Sequence, residues 1–511
     1  MKRATKKRAP SPVYVSPNQL SLECFQSPFE QNLRSDNRWV VLSRLIPWDD
    51  VCNVYLKNTG VSSTGRPPLS PRVVIGSLII KHMCNLDDRE TVDQISENIY
   101  MQYFLGYTSF SSEPPFDPSL FVEFRKRLGM EQVNQINERI VALRNKAGSA
   151  RPEDKPGNEG ENTSGTGEGG PQNHGKAIFD ATACPQDIAY PTDLDLLSTS
   201  REKSEELIDM LYDKVLHGKK PRTYRYVARK AYLKTAQKKN KTRKEIRKAV
   251  RKQLQYLKRN IKTLNKLLDA YGSIPFAPKE YKYFLVINTL YGQQKKMYDE
   301  RTHSVDDRIV SIHQPHVRPI VRGKAQAKVE FGAKIHVSLV DGIAYLDQLS
   351  WDAFNEGTQM IGYVEQYKRR FGFYPAELLA DQIYCTRGNR SKLKEMGVQL
   401  IAKPLGRPSA VPFHVSPGER NPIEGKFGQA KTGYGLNRIR ARLKGTSESW
   451  IASIIMVLNL VKLAGEALLC LIYQLLMSFS AIRKELSGQK TIREFRNDKD
   501  LSKSVKLLVA A

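Results

Sequence analysis

Between Lys219 and Lys266 the chain carries 20 Lys or Arg and a single acid, Glu245. A run so one-sided repels itself unless counterions or phosphates neutralise it. Yet its second half sets apolar residues at Val250, Leu254, Leu257, Ile261, Leu264 and Leu268, alternating steps of four and three that mark a helical seam of the coiled-coil kind. The segment is therefore a folded basic helix, and its seam is closed either by a second copy or by another part of the same chain. It supplies 20 minus 1, or +19, of the formal net charge of +28. That charge predicts a nucleic-acid contact, with Lys241, Arg243, Arg247 and Arg251 meeting phosphates.

The rest of the composition agrees. A chain of 511 residues with 40% hydrophobic content has material for two or three domains with real cores. A sequence pI near 9.7 lies outside the usual range for an enzyme of small metabolites and favours a polyanionic partner. The six cysteines stand singly, with no C-x2-C pair, as expected of reduced thiols in the cytoplasm. The N-terminus, MKRATKKRAP, is followed by no apolar run of a secretory signal, so a cytoplasmic, nucleoid-associated protein is expected. Residues 451–479 are apolar but interrupted by Asn459, Lys462 and Glu466; they predict a buried core helix, broken near Gly465, and no membrane contact.

Along the chain, a basic arm (1–37) precedes a region of helical periodicity (38–145), an all-α domain that is either a small helical bundle or a DNA-binding domain; periodicity alone does not separate the two. Its helix starts are signalled by Ser70-Pro71 and Asp117-Pro118. Residues 146–175 are rich in Gly, Pro, Glu, Asn and Ser and form a linker. Next, Ala177, Ile178 and Phe179 predict a short buried strand ending at Asp180. The helical basic insertion, about 200–300, follows. Strands at 331–340 and 342–350, turned by Asp341 and Gly342, predict a hairpin. Then come an amphipathic helix (357–372), a strand (376–384) carrying Asp381, a helix, a strand (398–404), and a helix over 421–443 with Pro422 in its first turn and Glu424 as its one acid. This unit spans 176–465, with a helical segment over 466–511 behind it.

An acid at a strand end beside an apolar run is costly to desolvate unless it is paired, caps a helix or binds a metal. Asp180 and Asp381 are such acids, while Glu424 starts a helix. Asp187 is a weaker alternative to Asp180, and His313 and His316 have a spacing seen in zinc ligands but no Cys nearby. The order of elements, with acids on the first strand, the fourth strand and the last helix, resembles that of α/β ribonuclease H-like polynucleotidyl transferases, which implies a mixed five-stranded sheet.

On FDATACPQDI around Asp180, LLADQIYCTRGNR around Asp381 and RNPIEGKFGQAKTGYGLNRIRARL around Glu424, the chain resembles a DDE transposase of a bacterial insertion sequence. TVDQISENIYMQYFLGY and FVEFRKRLG resemble the N-terminal helical domain of such proteins. Arg420, Glu424 and Lys431 are similar to the family's Arg–Glu–Lys signature; Pro417 stands where that signature has Tyr. The resemblance implies cleavage of transposon ends and joining of the 3′ hydroxyl to target DNA, with two Mg²⁺ or Mn²⁺ ions held by Asp180, Asp381 and Glu424. It also implies phosphate contacts from Arg420, Lys426, Lys431 and Arg438, terminal inverted repeats and target duplex as partners, and a homodimer or larger synaptic complex. The alternatives are a DNA-binding protein without catalysis and a metal-dependent nuclease that does not join strands.

Overall fold

The computed structural model describes residues 33–57, 69–148, 173–271, 274–321, 329–402 and 418–487. The N-terminal arm up to residue 32, most of the linker (149–172) and Pro417 lie outside them.

Among the described residues seven helices come first: α1 (Arg38–Leu45), α2 (Trp48–Lys57), α3 (Pro71–Met83), α4 (Asp88–Glu97), α5 (Ile99–Phe104), α6 (Leu120–Arg127) and α7 (Met130–Gly148). Their starts follow local chemistry. Asp87 caps α4 in a full capping box with Glu90, and Asn98 caps α5. Strand β1 (Lys176–Pro185) follows. The insertion then runs through α8 (Asp193–Leu211), α9 (Lys214–His217), α10 (Arg225–Ala236), α11 (Arg243–Leu268) and α12 (Pro278–Glu300). Beyond it lie β2 (Arg318–Val321), β3 (Val329–Val340), β4 (Ile343–Ser350), α13 (Met360–Phe371), β5 (Glu377–Leu379), α14 (Arg387–Glu395), β6 (Gln399–Ile401), α15 (Asn421–Gly433) and α16 (Lys444–Ser487).

The sheet is mixed. β3 lies antiparallel between β1 on one edge and β4 and β2 on the other, and β5 and β6 extend the far side of β1 in parallel. Among the described residues it has six strands, not the expected five. The extra one, β2, holds only four residues and contains Pro319, so its sequence carries no strand signal of its own. The hairpin forms as expected, with Asp341 and Gly342 both at positive φ, 49° and 78°. Between His336 and Val337 the register slips, leaving Asp347 as a bulged residue. Its fully buried carboxylate bonds His336, Ser338 and Arg370.

Four expected element bounds are corrected. β1 does not stop at Asp180 but continues to Pro185, because β3 pairs with it as far as Gly332. The strand expected over 376–384 ends at Leu379, and Asp381 lies in the turn after it, where its side chain caps Gln382 N–H. The Glu424 helix ends at Gly433 rather than at 443. α16 is not broken near Gly465; the helix runs through it to Ser487.

α16 is the beam that ties the N-terminal helices to the sheet, touching α1, α3, α6, α7 and β4. Its stretch Lys444–Ala467 is long and apolar enough to cross a membrane, yet two-thirds (67%) of its most apolar window is buried inside the protein. Asn459, the polar residue that interrupts it, is fully buried and bonds Ala344 N–H and C=O of β4 and Asn137 of α7. One apolar cluster spans the N-terminal helices, the sheet and α16. A second belongs to the insertion, where the α11 seam closes on α8 and α12. The seam thus packs within the chain.

Candidate active site

The backbone places the two aspartates side by side. β5 runs parallel to β1 with Ile178 opposite Leu379, and it ends there. Two residues further come Asp180, still on β1, and Asp381, in the turn after β5. Asp180 Oδ1 accepts from Ala181 N–H at 2.8 Å, and Asp381 Oδ1 accepts from Gln382 N–H at 2.7 Å as it opens a 3-10 turn, Gln382–Tyr384. The guanidinium of Arg420 spans both carboxylates, 3.1 Å from Asp381 and 3.8 Å from Asp180.

α15 supplies the third acid. Ile423, Phe427 and Ala430 form its buried stripe, and Glu424, Phe427, Gly428 and Lys431 line the cleft in which Asp180, Asp381 and Arg420 also lie. The cleft measures about 710 Å³. Burial pushes the Asp180 carboxyl above its ordinary range; the charges of Asp381 and Glu356 add to this, while Ala181 N–H and Arg420 pull the other way.

The donor set suits a hard divalent cation in kind, being all carboxylate oxygen. In this conformation Arg420 bridges the two aspartates, and among the described residues no three His, Cys, Asp or Glu side chains are gathered as a metal group.

The other expected contacts lie elsewhere. Lys426 turns from the cleft toward the Leu458 carbonyl, 3.5 Å away, and burial lowers its pKa. Arg438, beyond the end of α15, pairs with Asp187 at 3.0 Å, which removes Asp187 from the cleft lining. Lys241 donates to the Ala236 carbonyl, Arg247 stacks on Tyr298, and Arg243 and Arg251 are exposed on α11. His313 bonds Tyr283, whereas His316 packs edge-on against Trp351. Two charged cleft residues escaped the sequence reading. Lys334 of β3 and Glu356, at the start of a 3-10 turn (Glu356–Gln359), pair at 2.6 Å. Their only sequence signals are those of an ordinary strand lysine and a helix-start acid.

Residues 27–127 match a transposase domain, DUF772, and residues 378–461 match a transposase DDE domain. The first covers α1 to α6 and the second takes in Asp381, Arg420 and Glu424. These matches support an insertion-sequence DDE transposase. Asp180 and the whole insertion lie between the two matched stretches. The chain is also 29% identical, over 157 residues, to an uncharacterized protein, ORF8 in the nfe locus of Rhizobium meliloti. That match spans 30% of this chain and 64% of the other. No solved structure matches the chain.

Proposed function

We propose that the protein is a DDE transposase that cleaves its element's ends and joins the freed 3′ hydroxyl to target DNA at the Asp180–Asp381–Glu424 cleft, on a ribonuclease H-like fold. One observation carries this reading: three acids from three separate elements, β1, the turn after β5 and the first turn of α15, line one cleft beside Arg420 and Lys431. The strand order supports the fold, with an antiparallel β4–β3–β1 unit extended in parallel by β5 and β6.

In this reading water attacks first and frees a 3′ hydroxyl, which then attacks a target phosphodiester. Arg420 leaves the aspartates to hold a phosphate together with Lys431, so that the scissile group is fixed over the carboxylates. Asp180, largely shielded from solvent, gains most from a cation or proton beside it. Two Mg²⁺ or Mn²⁺ ions held by Asp180, Asp381 and Glu424 would supply Lewis-acid activation of the attacking and leaving oxygens. Lys241, just before α11, and Arg243, Arg247 and Arg251 on it hold duplex DNA by its phosphates. Because the α11 seam is closed within the chain, a synaptic dimer would form through other surfaces.

The test is joining of a labelled transposon end to plasmid with Mg²⁺ present. Wild type should nick and join, while Asp180→Asn, Asp381→Asn and Glu424→Gln should each fall to background with end binding retained. A wild-type protein that binds ends but neither nicks nor joins is a DNA-binding protein only, and one that nicks without joining is a nuclease.

A further inference from the structure

Lys334 and Glu356 form an ion pair that the three-acid reading does not use. Both line the cleft, with side chains 17% and 13% exposed. Withdrawing two charges from water is costly, and apolar residues of similar size would avoid that cost. Lys334 Nζ, 2.6 Å from Glu356, also donates to the Phe354 carbonyl at 2.7 Å.

The backbone under Glu356 is fixed. Asn355 Oδ1 accepts from Gly357 N–H at 2.9 Å, and the Gly357 carbonyl accepts from Asn389 Nδ2 at 2.7 Å. Gly357 lies flush on the turn that Asp381 opens: a Cβ added to it would sit 2.3 Å from the Ile383 carbonyl oxygen. Glu356 and Asp381 are therefore set by two turns packed against one another, and both charges are felt at Asp180.

We propose that Glu356 is a fourth carboxylate of the cleft and Lys334 its exchangeable counter-ion. When the cleft takes up a divalent cation, Glu356 turns from Lys334 to the cation, and the released ammonium meets a DNA phosphate. This rests on the reading of the cleft as a metal-dependent phosphoryl-transfer site.

The test is a Mn²⁺ titration of the full chain without DNA, followed by the electron paramagnetic resonance signal of free Mn²⁺, so that no reaction is needed. Glu356→Gln should weaken Mn²⁺ binding about ten- to a hundredfold, the range seen when groups supporting a metal site are removed. Lys334→Gln, which leaves the carboxylate without its counter-ion, should tighten it. Glu356→Gln that titrates like wild type while Asp180→Asn is impaired overturns the proposal and leaves the three-acid reading intact. Asp180→Asn that titrates like wild type overturns the three-acid reading and the proposal with it. If Glu356→Gln does not fold, as judged by its melting transition, Lys334→Gln decides: unchanged affinity overturns the proposal and tighter binding supports it.

Discussion

Asp88 neutralises two cations that the core has taken out of water. Lys81, 1% exposed, lies 2.9 Å from it, and Arg125 bonds it through both terminal nitrogens; both cations rest against the Trp450 ring of α16. Asp88→Asn leaves those charges uncompensated and should cost about 3 kcal/mol, read as a lowered denaturant midpoint. Burial opposes the Asp88 charge, but Arg125 and Lys81 outweigh it and hold the carboxyl below its usual range. Its contribution is therefore complete above the ordinary carboxyl pKa of about 4 and is lost as pH falls through the lower folded value. His82 acts in a higher window. Burial, with Lys81 and Arg125 beside it, pushes its pKa well below the ordinary value. As pH drops below about 6.5, the unfolded chain takes up a proton that the folded one refuses, so stability declines. His82→Met should flatten that limb in pH-dependent denaturation curves.

Two elements show how far local pattern reaches. The α11 seam was legible because a period of three and four is a property of the helix itself, and Leu257 at its centre is fully buried. Leu257→Ala should cost about 2 to 5 kcal/mol, and the insertion packs as a cluster of its own. Limited proteolysis of that variant should cut first within 219–300, with the sheet and N-terminal helices persisting. The Asp341-Gly342 hairpin was equally legible, because its turn demands positive φ at both residues. The bulge at Asp347 was not, since nothing in the alternation of β4 distinguishes an acid that faces solvent from one that the slipped register turns inward. Asn459 was read only as an interruption of an apolar run. In the fold it satisfies both backbone groups of Ala344, and Asn459→Ala should cost about 1 to 3 kcal/mol by leaving them unpaired, read as a lowered melting temperature.

At the scale of the molecule, charge and core are divided. The insertion carries most of the excess positive charge and a core separate from the one shared by the N-terminal helices, the sheet and α16. If α11 lies along DNA, Lys241→Gln, Arg243→Gln, Arg247→Gln and Arg251→Gln together should weaken binding to all duplexes alike. The slope of log affinity against log salt should fall by about 0.9 for each phosphate that the protein no longer neutralises. An unchanged slope, measured by filter binding from low to moderate salt, would return this face to a solvated role.

The sequence by itself determined most of the helices, the hairpin and the basic insertion, because periodicity, turn chemistry and charge are properties of neighbouring residues; the three acids came from the order of elements and the family resemblance. Only the tertiary structure decided what those residues meet. The parallel register of β1 and β5 brings Asp180 beside Asp381. The end of α15 at Gly433 leaves Arg438 to Asp187, and the packing of α15 on α16 turns Lys426 to the Leu458 carbonyl. Glu356, far from all three acids in sequence, reaches their cleft because Gly357 lets two turns close on one another. Such meetings depend on packing between distant segments, and no local window of sequence encodes them.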